Sequence, residues 1–208
     1  MWNSITQFFQ SLFASSPKSS AVSDMAGWAD RNDFTYTKPS TSQLHKDFDH
    51  LVFFQQGNSH QTTAMMQHRT PDLSTLVGTV HLEHEGTPAK YVCYLFENTT
   101  ISLPKLNFAH RESAMFATLR GSKLSPISIP SALSQTHSGL SDQAKWGDKV
   151  FKDSEIQGVL TGIPATSLRW IETDDCHVLV VCQEFHPQMV SIGKLLFHHF
   201  AKYRFDKK

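Results

Sequence analysis

The chain has no charge of either sign in excess: 19 Lys and Arg meet 19 Asp and Glu, so its formal net charge is zero. Nucleic-acid-binding proteins ordinarily carry a basic field against phosphate, and this balance argues against that class. Cysteine is scarce too. Cys93, Cys176 and Cys182 form an odd set without a C-x-x-C pair, which excludes a disulfide scaffold or zinc knuckle and fits a reducing compartment. No apolar run reaches the roughly 20 residues that a bilayer-spanning helix needs. Neither G-x-G-x-x-G nor G-K-[ST] occurs, so no loop for nucleotide phosphate is visible. What the sequence does hold is bulk: 15 Phe and 4 Trp within 208 residues are too many large side chains for a disordered chain and suffice for one domain with one core.

The segment 1–14, MWNSITQFFQSLFA, carries no charged side chain. At helical spacing Trp2, Ile5, Phe8, Phe9, Leu12 and Phe13 fill an arc of roughly 140°, and the polar residues fill the rest. The interleaving excludes a secretory signal, which needs a continuous apolar stretch. We expect an amphipathic helix whose apolar face meets a membrane interface, a protein partner or its own domain. Residues 15–24, SSPKSSAVSD, have linker composition, and a single domain is expected over 25–208.

Within that domain Met25, Trp28 and Ala29 fall at helical spacing, and Phe34 and Tyr36 alternate as in a short strand. A capping-box pattern, Ser40 to Gln43, precedes Leu44, Phe48 and Leu51 at helical spacing. Segments 62–68, 75–85 and 89–97 are rich in β-branched and aromatic residues and read as a meander, with Gly78 marking a bulge or a close backbone approach. Residues 121–145 repeat Ser and Pro and read as a long surface loop. Ile156, Val159, Leu160 and Ile163 make a helical face, 167–172 a strand, and 177–185 a buried strand after the Asp174-Asp175 turn. Pro187 then opens a last helix with Met189, Ile192, Leu195, Leu196, Phe200 and Tyr203 on one face. The expected fold is α+β, an antiparallel sheet packed with helices.

This order of elements resembles small bacterial proteins of unknown function. The resemblance is carried by Trp28-Ala29, Phe34 and Tyr36, Gly78 before a hairpin, Leu103-Pro104 with Phe108, and Phe151 ahead of a helix, hairpin and last helix. It implies an α+β fold and a bacterial source. It supplies no activity.

Catalytic signatures fail one by one. Gly139-Leu140-Ser141-Asp142-Gln143 starts like a nucleophile elbow but lacks the second Gly, and no strand is evident before it. His84-Glu85-Gly86-Thr87-Pro88 starts like a zincin motif but has Pro where the second His belongs. The three thiols read as small buried side chains on strands. Histidine is abundant at 12 residues, and a metal site would draw on His81, Glu83 and His84 with Glu184 or His186. The bland alternative is a wet, charged strand face, and His199 reads as a hydrogen-bonded core histidine. Neither a metal nor any other cofactor is expected. Two functions follow: a non-catalytic binding or interaction domain of a bacterial cytoplasm, peripheral to the inner membrane if residues 1–14 reach it; or a metal-dependent hydrolase built on the His/Glu set. The first is favoured, with an unidentified protein partner or a membrane surface as its contact.

Overall fold

The opening helix α1 (Met25–Arg31) leads into a short strand β1 (Thr35–Thr37), and one helical turn, α2 (Leu44–Asp47), is followed by a 3-10 turn over Val52–Gln55. Three long strands come next: β2 (His60–Arg69), β3 (Ser74–His84) and β4 (Thr87–Glu97). After β5 (Leu103–His110) and β6 (Ser125–Pro126) the chain forms α3 (Ser131–Ser134), β7 (His137–Ser141), α4 (Ala144–Lys152) and α5 (Ser154–Gly162). The hairpin β8 (Leu168–Asp175) and β9 (His177–Cys182) and the final helix α6 (Gln188–Lys202) complete it. This computed structural model describes residues 25–38, 44–57, 60–84, 87–111, 123–164 and 167–203. The segments expected as an amphipathic helix and a linker, and the capping box at 40–43, lie outside them.

Among the described residues the strands join one nine-stranded antiparallel sheet, ordered β1-β2-β3-β4-β9-β8-β5-β7-β6. The fold is α+β. Because side chains alternate along a strand, each strand feeds two cores. One face offers Val77, Val92, Tyr94, Phe96, Phe108, Val178 and Val180 to α1, α4, α5 and α6. The other offers Val80, Leu82, Cys93, Leu95, Trp170, Leu179 and Val181 to a strap, residues 44–56, that supplies Leu44, Leu51, Phe53 and Phe54. Strand β9 is buried along its whole length, as its near-continuous apolar sequence demands.

Local chemistry fixes the helices. Asp153 caps α5 by accepting from the backbone N–H of Glu155 and Ile156 at 2.7 and 3.4 Å. Helix α6 buries Met189, Ile192, Leu196, Phe197 and Phe200, each contributing roughly 1.5–3 kcal/mol of apolar burial. It can lie this close because Gly193 sits on Phe96, where a Cβ would collide with the ring. Gly78 plays the same part on the other face. A Cβ there would strike the Leu44 side chain, so the glycine marks a close approach; the sheet's bulge near it falls between Thr62 and Ala64 instead.

Three sequence expectations give way. The helix expected through Leu51 stops at Asp47, because the chain must then lie flat on the sheet. The Ser/Pro-rich stretch at 121–145 is no long loop: its part from 123 on holds β6, α3, β7 and the start of α4, with His137, Gly139 and Ser141 buried. Gly139-Leu140-Ser141 therefore does lie on a strand, and a Cβ at Gly139 would strike Ile127, so the glycine admits that side chain against the sheet.

Candidate functional site

Among the described residues, two places that combine polar chemistry with access stand at opposite ends and on opposite faces of the central strands. The first is a cavity of about 370 Å³ on the helical face, beside the start of β4. Met25 of α1, Tyr36 of β1, Ala64 of β2, Val92 of β4 and Phe185 give it an apolar floor. Thr63, Thr79, Lys90, Gln183 and Glu184 ring it with polar groups. Its walls are held in place. Trp28 packs edge-on against Phe185 at 5.9 Å, and Tyr94 stacks beside the same ring at 6.3 Å. The buried Tyr94 hydroxyl donates to the carbonyl of His186 at 3.1 Å and accepts from its N–H at 2.7 Å, which fixes the connection from β9 to α6. Burial pushes the Tyr94 hydroxyl well above its usual pKa, so it stays a donor.

The second place is on the strap face, where β4 ends and β9 begins. Cross-strand register sets Glu97 opposite His177. The His177 Nε2 atom lies 3.6 Å from Glu97 Oε1, and its Nδ1 atom lies 3.3 Å from Nε2 of His50 on the strap. Cys176, in the turn between β8 and β9, puts Sγ 3.5 and 3.7 Å from the two nitrogens of that ring. Near-equal distances set the sulfur midway between the two nitrogens and aligned on neither lone pair, unlike a Cys–His nucleophile pair. Burial raises the Cys176 thiol pKa, and Glu97 and Asp175 raise it further. This is a protonated thiol in an acidic corner. His177 is lowered by burial and then by His50, with Glu97 opposing. Phe48 closes the ring's flank, edge to face, at 5.6 Å.

A third polar cluster is spoken for. His199 Nε2 meets Glu155 at 3.0 Å, and Asp153, already capping α5, receives the Tyr203 hydroxyl and lies 3.8 Å from Lys202. His199 is thus the hydrogen-bonded core histidine that its helical position suggests, while His198 points outward. The buried Glu172 is likewise committed. It accepts from the N–H of Val52 at 2.6 Å, of Phe53 at 3.0 Å and from the Trp170 indole at 3.1 Å, and so caps the 3-10 turn of the strap. Burial outweighs those three donors and raises its pKa to about 7.

The histidines singled out by sequence are distributed differently. His81 and Glu83 stand on the helical face of β3, half-buried and exposed, and His84 is the last residue of that strand. Glu184 reaches the cavity rim; His186 follows it in the connection that Tyr94 fixes. Among the described residues, triads of ligand-capable atoms within 4.8 Å form elsewhere: at Glu97, Cys176 and His177, and at Asp153, Glu155 and His199. The expectation that all three thiols lie buried on strands holds for Cys93 and Cys182; Cys176 is half-buried in the turn between β8 and β9. Burial pushes the Cys182 thiol up to about 12. Ser141 is occupied structurally, donating to the Lys105 carbonyl at 2.7 Å and accepting from the Gln143 N–H at 3.1 Å.

No family model matches the chain, and no curated protein matches it. A solved structure does. The chain is similar in fold to TtfA. The match is to the crystal structure of this mycobacterial trehalose monomycolate transport factor A, with 10% identity over 85% of this chain and 90% of that one, at a TM-score of 0.58. At that identity the likeness concerns the fold, and it extends over most of both chains. No helix among the described residues is long and apolar enough to cross a membrane.

Proposed function

We propose that the chain is a non-catalytic binding domain that holds an amphiphilic small molecule in the cavity between α1, the β1–β4 end of the sheet and Phe185. The cavity itself carries this reading. Its volume of about 370 Å³ falls in the range typical of ligand pockets, and it joins an apolar floor to a rim bearing Lys90 and Glu184. An acyl or ring body fits the floor; an anionic or hydroxylated head fits the rim. Tyr94, Ser141, Asp153 and Glu172 are each committed to caps or hydrogen bonds within the fold, which favours holding over transforming. The structural neighbour is named a transport factor, and a holding role agrees with that name. We further propose a single domain over 25–208, with Trp2, Ile5, Phe8, Phe9, Leu12 and Phe13 bringing it to a membrane or protein surface from the cytoplasmic side. The segregation of apolar residues in 1–14 supports this part.

A dansyl-labelled undecanoate serves as probe. We expect saturable fluorescence enhancement at one site per chain. Ala64→Phe, which fills the floor, should weaken binding at least about tenfold, equivalent to about 1.4 kcal/mol. Lys90→Glu should weaken it too, by repelling the carboxylate. Saturable binding untouched by both substitutions, or no saturable binding, would refute the cavity as the site.

A further inference from the structure

We propose that Glu97, Cys176 and His177 form a binding site for one thiophilic divalent cation, with zinc the best fit, and that His50 orients the His177 ring from the strap. The site is separate from the cavity and does not depend on the binding reading given above.

Spacing is the first argument. In tetrahedral zinc sites, bonds of about 2.3 Å to sulfur and 2.0–2.1 Å to nitrogen or oxygen set ligand atoms about 3.3–3.6 Å apart. Here Nε2 of His177 lies 3.7 Å from Cys176 Sγ and 3.6 Å from Glu97 Oε1, and all three ligand atoms fall within 4.8 Å of one another. Two of these separations are within a few tenths of an ångström of the tetrahedral values, and a turn of the Cys176 and Glu97 side chains about Nε2 would bring the third into range.

The donor set is the second argument. One thiolate, one imidazole and one carboxylate suit zinc, whereas magnesium or calcium would ask for oxygen alone. Three protein ligands leave a fourth position, which the half-buried Cys176 and Glu97 leave open to solvent. On binding, the Cys176 thiol would release its proton to solvent. The surrounding carboxylates, Asp174 and Asp175 among them, supply the negative potential that a divalent ion requires.

Orientation is the third. With Nε2 turned to the ion, Nδ1 is left to donate to His50 Nε2 at 3.3 Å, the outer-shell bond that metal-ligating histidines usually make. Because His50 belongs to the strap and His177 to the sheet, bound metal would tie the two together. Such a group is also poorly explained by packing alone, for it gathers a thiol, two imidazoles and a carboxylate at a solvent-facing strand end.

Untagged full-length protein, stripped with chelator and kept reduced by a phosphine, can be titrated with cobalt(II). We expect one equivalent to raise a thiolate-to-cobalt charge-transfer band in the near ultraviolet together with intense visible bands of a four-coordinate ion, and zinc to bleach both. Cys176→Ala should abolish the charge-transfer band, since Cys93 and Cys182 are fully buried. Glu97→Gln should weaken binding and change the visible bands; it carries the same test if Cys176→Ala folds poorly by circular dichroism. His50→Ala should leave the spectrum in place yet lower affinity by about 10–100-fold, and His50→Gln, which keeps an acceptor, should restore part of it. Absence of the charge-transfer band in the natural chain, or its survival in Cys176→Ala, would overturn the site. An unchanged affinity in His50→Ala would overturn the role given to His50.

Discussion

At the scale of single residues, the clearest consequence of burial is at His137. The residue is fully buried on β7; its ring stacks parallel on Phe108 with centroids 4.8 Å apart, and Thr136 Oγ1 lies 2.8 Å from Nδ1. Burial pulls its pKa down to about 4 from 6.5, with the Leu168 backbone opposing and His110 and Arg169 assisting. A folded-state pKa below the unfolded one means the unfolded chain binds the proton first. Stability from this group is therefore complete above about pH 6.5 and is lost as pH falls toward 4, by on the order of 3 kcal/mol at most. His137→Phe keeps the stacked ring and removes the titration. Urea unfolding at pH 7 and pH 4.5 should show a smaller acid loss in that variant than in the natural chain; equal losses would mean that His137 charges in the fold without penalty. None of this was legible in the sequence. His137 sits in a Ser/Pro-rich stretch whose composition says surface, and only its pairing with β5, through His110, puts it inside.

At the scale of elements, the strap is held on the sheet by a few specific contacts. Leu44 seats over Gly78, and Glu172 receives three N–H groups that would otherwise be buried without acceptors. Because the pKa of Glu172 is raised to about 7 in the fold, its linkage runs opposite to that of His137: the favourable contribution is full below about pH 4.5 and fades as pH rises through 7. Removing the acceptor is a separate matter. Glu172→Ala should cost about 2–4 kcal/mol, since two backbone donors and an indole lose their partner. Hydrogen exchange should localise the loss, with the Val52 and Phe53 amides exchanging much faster while those of β3 and β4 keep their order of protection. Retained protection at Val52 and Phe53 would show that packing of Phe53 and Phe54 alone holds the strap. The strap's helix was overread because Leu44, Phe48 and Leu51 do fall at helical spacing. They face one way for a different reason, which is that a flat segment lying on a sheet also needs one apolar side.

At the scale of the whole molecule, the long strands and the last helix were visible in advance because each carries its period locally. The alternation in β3 and β4, the apolar run of β9 and the single face of α6 need no distant partner to be recognised. Both candidate sites were hidden because they are made by register. Glu97 and His177 are strangers in sequence and neighbours across β4 and β9, His50 arrives from the strap, and the cavity collects residues from Met25 to Phe185. The only local trace of the second site is Cys176-His177 beside Asp174-Asp175, a turn like many others. What unites these features is a sheet with one face packed by helices and the other by a strap, leaving a hollow of mixed apolar and polar lining near one strand end. The proposed function places a ligand, held unchanged, in that hollow. Its most direct test is a nitrogen–proton correlation spectrum of the labelled full chain titrated with dansyl-undecanoate. We predict shifts clustered at Met25, Tyr36, Ala64, Val92 and Phe185, saturating together, with the probe recovered intact. Shifts centred on Cys176 and His177 with the cavity silent, or conversion of the probe, would contradict it.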